Sequence, residues 1–158
     1  SLEQMDDDEK RLFFEILNYI FDHLGDIPSS NVLFEKLVEN GLASAVVVHF
    51  HPIAIQFHDS GDFDQARHFF EILASLNYPD ALFNLGIYCE NEQNMEGAIE
   101  YYEKAAKAGC PEAMNALGCI YYEREEDEDK VLDFLENASR RGCGDAISNL
   151  RALASSNR

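Results

Sequence analysis

Three histidines in one short stretch are the side chains of this sequence that most directly suggest metal chemistry. His49, His51 and His58, with Asp59 beside the last, carry imidazole and carboxylate groups of the kind that bind zinc. On a helix, however, His51 and His58 share a face and His49 does not, and the sequence contains no HExxH motif. We therefore expect surface or core histidines here, and no metal site.

The four cysteines could act as nucleophiles, metal ligands or disulfide partners. No two of them are spaced as a CxxC pair. Cys110 and Cys143 each follow a glycine at equivalent places of a repeat described below, so we interpret them as structural turn residues. Together with Cys89 and Cys119, they are predicted to be reduced and mostly buried thiols, which is typical of a cytoplasmic protein.

A dense acidic run, EREEDED at 123–129, is the third candidate for chemistry. Such a run is usually a solvated loop, although it could also seat a basic loop of a partner or attract a divalent cation weakly. It lacks the spaced ligands and the glycine of a calcium-binding loop. The sequence contains no glycine-rich phosphate loop, nucleophile elbow or kinase motif set, so we predict no catalysis and no cofactor.

The charge balance bears on the class of partner. The 158 residues include 12 basic and 30 acidic side chains, which gives a net charge of −18. A field of that sign repels nucleic acid and anionic lipid and speeds association with a basic protein, although it could also serve solubility alone. No apolar run approaches the roughly 20 residues that cross a bilayer. Residues 1–12 also lack the pattern of a signal peptide, so we expect a cytoplasmic protein.

The elements that would position these side chains are revealed by an internal repeat. DALFNLGIYCE (80–90), EAMNALGCIYY (112–122) and DAISNLRALAS (145–155) align without gaps, at intervals of 32 and 33 residues. The stretches between them, EGAIEYYEKAAKAG (96–109) and DKVLDFLENASRRG (129–142), align as well. Each unit therefore contains two similar segments in a fixed order.

Both segments of each unit carry helix signals. Pro79 and Pro111 suit the first turn of a helix, whereas Gly109 and Gly142 suit the left-handed residue after its last turn. Small residues such as Gly118 recur where neighbouring helices would cross closely. We predict an all-α fold of about nine helices, stacked as antiparallel pairs in an α-solenoid.

This pattern resembles the Sel-one-like repeat family, a relative of the tetratricopeptide repeats, over about residues 62–154. The residues that match its motif are Ala81, Leu85, Gly86, Ala98, Tyr101, Tyr102, Lys104, Ala105, Ala106, Gly109, Ala113, Leu117, Gly118 and Tyr121. The chain departs from the motif at Cys89, where the family has tyrosine, and at Arg151, where it has glycine. The resemblance implies a solenoid used as an adaptor or scaffold, and it implies no catalysis.

The predicted domain organisation follows from where the repeat begins. We expect capping helices in residues 1–43 and repeats in 44–158, namely one degenerate, two clear and one terminal half-repeat, all in a single domain with the cap. Residues 44–58 are ambiguous, because their β-branched run favours a strand whereas the repeat register favours a helix. We predict a helix that is kinked or restarted at Pro52.

The side of each first helix that faces away from the repeat motif is the predicted binding surface. We expect it to form one concave strip with the asparagines, tyrosine and carboxylates that suit recognition of a peptide or protein. The alternative is that several of these residues only complete packing between repeats. The predicted partner-binding residues are Phe83, Asn84, Ile87, Glu90, Asn91, Asn115, Tyr122, Glu123 and Asn149.

Three classes of function compete. The sequence predicts a non-catalytic protein–protein interaction module whose partner is a basic protein or peptide, with no nucleic acid or membrane partner. A dedicated acidic inhibitor, such as an immunity protein that neutralises a basic toxin, is an alternative that the sequence does not separate from an adaptor. An enzyme is the least supported class, because no catalytic set is present. The sequence does not predict an oligomeric state.

Overall fold

The computed structural model describes residues 5–22, 27–39, 41, 43–125 and 128–156. Within these ranges the chain forms nine α-helices and no β-strand, which confirms the predicted all-α class. None of the nine is long and apolar enough to cross a membrane. The helices are α1 (Asp7–Asp22), α2 (Ile27–Glu39), α3 (Ala43–Ser60), α4 (Phe63–Ser75), α5 (Pro79–Asn91), α6 (Met95–Lys107), α7 (Pro111–Glu123), α8 (Glu128–Arg140) and α9 (Gly144–Ser156).

The chain divides into two compact units, Ser1–Ile72 and Leu73–Arg158. In the first unit α2 packs on α3, and in the second α5, α6, α7 and α8 each pack on the next helix, as in an α-solenoid. The predicted boundary between a cap at 1–43 and repeats at 44–158, within a single domain, stays a prediction.

The first unit begins with a reciprocal helix cap. The side chain of Asp6 accepts hydrogen bonds from the backbone N–H groups of Asp8 and Glu9, at 3.0 and 2.8 Å. The Glu9 carboxylate in turn accepts one from the N–H of Asp6 at 2.8 Å, which completes a capping box. One turn further on, Phe13 is buried, and its ring centroid lies 5.0 Å from that of His49. Helix α1 therefore contacts α3.

Helix α3 resolves the ambiguous segment in favour of the helix. Val46, Phe50 and Ala54 are all fully buried at four-residue steps, so burial follows the helical period and overrides the local β propensity. The helix runs through Pro52 from Ala43 to Ser60, so it does not restart at that proline, and the predicted alternative of a kink there stays a prediction. Pro52 is exposed and lacks the N–H that would bond the carbonyl of Val48, a residue that is 65% exposed to water.

The turns of the repeat share one backbone geometry. After α6, the N–H of Gly109 bonds the carbonyl of Ala106 at 3.0 Å, and the N–H of Cys110 bonds that of Ala105 at 2.9 Å. This is a Schellman motif, and Gly109 takes the left-handed conformation that it requires, with φ at 98°. Gly142 ends α8 in the same way, so both predicted terminating glycines are confirmed.

The small residues of the second unit lie at close helix crossings, as the repeat predicts. A Cβ atom at Gly86 would collide with the ring of Tyr102 on α6. A Cβ atom at Gly118 would lie 2.7 Å from Cδ2 of Leu135 on α8. Because both glycines lack a side chain, the second helix of each pair packs directly on the backbone of the first.

Candidate functional site

The predicted binding residues on α5 mostly take part in packing. Phe83 and Ile87 are half-buried against the core of the second unit, and the Phe83 and Tyr102 ring centroids lie 5.6 Å apart. The Asn84 side chain donates a hydrogen bond of 2.8 Å to the backbone carbonyl of Asp80. These three side chains therefore stabilise α5 and its contact with α6.

Glu90 and Asn91 lie at the end of α5 and differ in their surroundings. Glu90 is half-buried and accepts a hydrogen bond of 2.6 Å from the hydroxyl group of Tyr102. Burial of Tyr102, together with this bond to a carboxylate, raises the pKa of the phenol well above its usual range. Asn91 is exposed. Of the five predicted residues on α5, it is the one most available to a partner.

The predicted residues on α7 and α9 come together in space. Asn149 on α9 donates hydrogen bonds to the side-chain oxygen of Asn115 at 2.9 Å and to the sulfur of Cys119 at 3.3 Å. Asn115 and Asn149 therefore join consecutive first helices, in agreement with the packing alternative. One turn beyond Cys119, Tyr122 is 56% exposed and Glu123 is also exposed.

A cleft of about 360 Å³ opens between α7 and α9, and we call it the α7/α9 cleft. Its rim carries three of the predicted residues, Tyr122, Glu123 and Asn149, and its apolar lining includes Leu135 and Leu153. Aromatic and acidic groups around an apolar floor can bind a side chain that has an apolar body and a positive end. The full lining consists of Gly118, Cys119, Tyr122, Glu123, Leu135, Asn149, Ala152 and Leu153.

Five of the eight lining residues of this cleft were not among the predicted binding residues, namely Gly118, Cys119, Leu135, Ala152 and Leu153. Leu135 lies on a second helix, whereas the predicted strip was drawn from first helices alone, and Leu153 follows the repeat as an ordinary core position. Ala152 aligns with Ile87 of the predicted strip, so the repeat register could have identified it. The available signal was a size difference between repeats. Leu135 stands where the preceding unit has Tyr102, and its shorter side chain covers Gly118 but leaves space toward Tyr122.

The thiols have the surroundings of structural residues. Cys89, Cys110 and Cys143 are buried and Cys119 is half-buried, which confirms that most of them are covered. Burial raises the pKa of Cys110 to about 11, and burial with the nearby Glu123 carboxylate raises that of Cys119. Both groups therefore stay protonated near neutral pH, where a thiol is a weak nucleophile.

Two of the three histidines singled out in the sequence, His49 and His58, lie beside aromatic rings. The ring centroids of His58 and Phe63 are 5.5 Å apart, and His49 contacts Phe13 as described above. Across the described ranges, no three histidine, cysteine or acidic side chains are grouped as a metal ion would require. His68 on α4, which the sequence did not single out, has a buried Nε2 atom without a hydrogen-bond partner among the described residues.

The acidic run includes the last residue of α7, the turn after it and the first residues of α8. Residues 126 and 127 are outside the described part of the chain, and the remaining acidic residues of the run are exposed, as predicted. Glu123 belongs to α7 and Glu128 and Asp129 to α8, so the run is only partly a loop. A guanidinium nitrogen of Arg124, within the run, lies 3.7 Å from a carboxylate oxygen of Glu96. Negative charge is therefore concentrated where α7 ends, beside the rim of the α7/α9 cleft.

Comparison with known proteins adds one match. Residues 79–108, which contain α5 and α6, match the family of tetratricopeptide repeats. No curated protein matches the chain significantly. Tetratricopeptide repeats are generally protein-interaction modules and generally not enzymes. The match supports a tetratricopeptide-like repeat protein, and the narrower Sel-one-like assignment stays a prediction.

Proposed function

We propose that the chain is a non-catalytic protein–protein interaction module, an adaptor or scaffold, whose acidic surface binds a basic protein. The observation that carries this proposal is the α7/α9 cleft, where an apolar floor is bordered by the exposed side chains of Tyr122 and Glu123. Tyrosine is enriched in protein interfaces, because its ring buries apolar area while its hydroxyl group stays hydrogen-bonded. The tetratricopeptide match supports the same class of function.

Within the predicted strip, we assign direct contact to the residues that are exposed or line the cleft. These are Tyr122, Glu123 and Asn149, with Asn91 at the end of α5 as an extension of the surface. We call the pair α5 and α6 the first hairpin and the pair α7 and α8 the second. The remaining predicted residues, Phe83, Asn84, Ile87, Glu90 and Asn115, act indirectly by holding α5, α6, α7 and α9 in place.

The charge of the chain supports a basic partner. The net charge is −18, and exposed acidic residues lie on both sides of the turn after α7. An exposed carboxylate adds little to affinity, but a field of one sign raises the rate of encounter with a protein of the opposite sign. We therefore expect charge to act mainly on association, and the apolar cleft to act mainly on dissociation.

Affinity capture from native lysate tests the proposal. The bait is the wild-type chain, the Tyr122→Ala/Glu123→Lys double variant, or a control, Glu100→Lys, which makes the same charge change at an exposed position of α6. We expect basic proteins to be retained by wild type and control and lost by the double variant. The association rate of the purified partner should fall steeply with added salt, while dissociation changes less.

An acidic partner whose binding is insensitive to salt would contradict the basic-partner proposal, and the acidity would then serve solubility. Conversion of a small-molecule substrate by the purified chain would contradict the non-catalytic part. If the captured protein is a toxin whose activity the chain blocks, the inhibitor alternative replaces the adaptor, because the same charge of −18 suits both roles.

A further inference from the structure

The α7/α9 cleft has a counterpart one repeat earlier, where the equivalent space is filled by an aromatic ring of the chain itself. There the ring of Tyr102 covers Gly86 so closely that a Cβ atom on the glycine would collide with it. Its hydroxyl group reaches Glu90 at 2.6 Å, and the side chain is only 1% exposed. The first hairpin therefore shows that a phenol fits over this kind of glycine on a first helix.

In the second hairpin the filling side chains are smaller. Leu135 replaces Tyr102, and Cys119 on α7 replaces the equivalent Ile87 on α5. The space that remains measures about 360 Å³, which is within the range of small-ligand pockets, roughly 300–1,000 Å³. One aromatic side chain and part of its backbone can enter a cleft of this size.

The polar groups around the cleft favour a positively charged residue next to an aromatic side chain that enters it. Glu123 is exposed at the rim, and no lysine or arginine is among the lining residues. Burial is the main cause of the raised pKa of Cys119, and the Glu123 and Asp145 carboxylates raise it further, so both lie near this lining residue. Asn149 is fixed by its hydrogen bonds to Asn115 and Cys119, so this wall needs little ordering when a ligand binds.

We propose that the α7/α9 cleft binds an aromatic side chain of the partner, and that a lysine or arginine within two residues of it contacts Glu123. Leu135 already covers Gly118. The aromatic ring therefore lies beyond Leu135, in the space toward Tyr122 whose counterpart is filled by the longer side chain of Tyr102 beside Glu90, and the cation neutralises the rim. This inference rests on the proposed function, because it names the part of the basic protein that enters the chain.

A library of random peptides displayed on phage and selected against the full chain tests the inference. Enriched peptides should share an aromatic residue with lysine or arginine within two positions. A fluorescent synthetic copy of an enriched peptide is then titrated with the chain and its variants. Leu135→Tyr fills the cleft as Tyr102 fills its counterpart, and we expect it to weaken binding at least tenfold, a loss of about 1.4 kcal/mol.

Cys119→Ile is a second filling variant, which introduces the side chain that Ile87 has at the equivalent position of α5, and it should weaken the same peptide. Leu135→Met is the matched control, because it conserves volume and leaves the cleft open. A thermal melt of each variant shows that a loss of binding is not a loss of fold. Glu123→Lys should weaken the peptide more at low salt than at high salt.

Each outcome of the selection supports or overturns the inference. Enriched peptides that are acidic, or that lack an aromatic residue, overturn it. Unchanged affinity in both folded filling variants also overturns it, while the proposed protein-binding function stands. A failed selection beside a successful lysate capture overturns the inference alone, whereas failure of both experiments overturns the proposed function as well.

Discussion

The hydroxyl group of Tyr102 donates a hydrogen bond of 2.6 Å to the Glu90 carboxylate, across the gap between α6 and α5. The Tyr102 ring that carries this hydroxyl group is buried over Gly86. One side chain therefore joins the two helices of the first hairpin both by packing and by hydrogen bonding. The second hairpin has leucine and tyrosine at the equivalent positions, Leu135 and Tyr122, and cannot form this bond. Its tyrosine is exposed beside the cleft instead.

Tyr102→Phe should therefore lower the stability of the fold. It removes one charge-assisted hydrogen bond while keeping the ring, so we expect a loss of about 1–2 kcal/mol in the free energy of unfolding, measured in urea. Tyr122→Phe is the control, because its side chain is 56% exposed and its hydroxyl group can remain in water without a protein partner. Equal stability of the two variants would show that the bond to Glu90 contributes nothing.

Gly118→Leu should be destabilising for a different reason. Even a Cβ atom at this position would lie 2.7 Å from Leu135, so a leucine side chain must push α8 away from α7. Overpacking of this kind costs about 1–3 kcal/mol. Gly144→Ala, at the exposed start of α9, has no atom within 4 Å of the added Cβ and should leave the melting temperature almost unchanged. A melting temperature of Gly118→Leu equal to wild type would contradict the close crossing.

Stability should also depend on pH through His68. Burial lowers its pKa below the ordinary value of 6.5, with a smaller opposing effect from Glu71, so the unfolded chain binds this proton more tightly than the native chain. The stability of the fold that depends on a neutral His68 is fully present above pH 6.5 and is lost as pH falls through the native pKa of His68. Wild type should therefore lose more stability than His68→Leu over this interval, in urea titrations at several pH values. Parallel pH profiles for the two proteins would contradict the assignment.

Cysteine reactivity is expected to follow burial. Of the four thiols, Cys119 is half-buried and the other three are buried, so a thiol reagent should modify Cys119 first in the native protein. The reaction should be slow near neutral pH, because burial and Glu123 raise the pKa of Cys119. After unfolding without reductant, all four thiols should react. An intact mass that indicates two disulfides would contradict the predicted reduced state.

Much of the fold was accessible from the sequence because the repeat carries its own signals. Pro79 and Pro111 mark the starts of α5 and α7, and Gly109 and Gly142 mark the ends of α6 and α8. The course of α3 through Pro52 was not accessible. It depends on the proline lying on the exposed side of the helix while Phe50 lies on the buried side, and tertiary packing decides which side is which.

The candidate site was predicted in part. Tyr122 and Glu123 were identified from the angular position of their side chains on α7, and the structure places both at an open cleft. The packing role of Asn149 was not distinguishable from a binding role, because the bond to Asn115 depends on how α9 lies beside α7. The cleft itself depends on the size of Leu135, which matters only once the ring of Tyr102 is seen to fill its counterpart.

Methyl NMR of leucine-labelled chain, titrated with the basic protein captured from lysate, tests the central claim most directly. Leu135 and Leu153 line the α7/α9 cleft, whereas Leu82 is buried in the core of the same unit and serves as the reference. We predict that the methyl signals of Leu135 and Leu153 shift and saturate with the complex while those of Leu82 stay in place. A complex that forms without moving the Leu135 and Leu153 signals would contradict binding at this cleft.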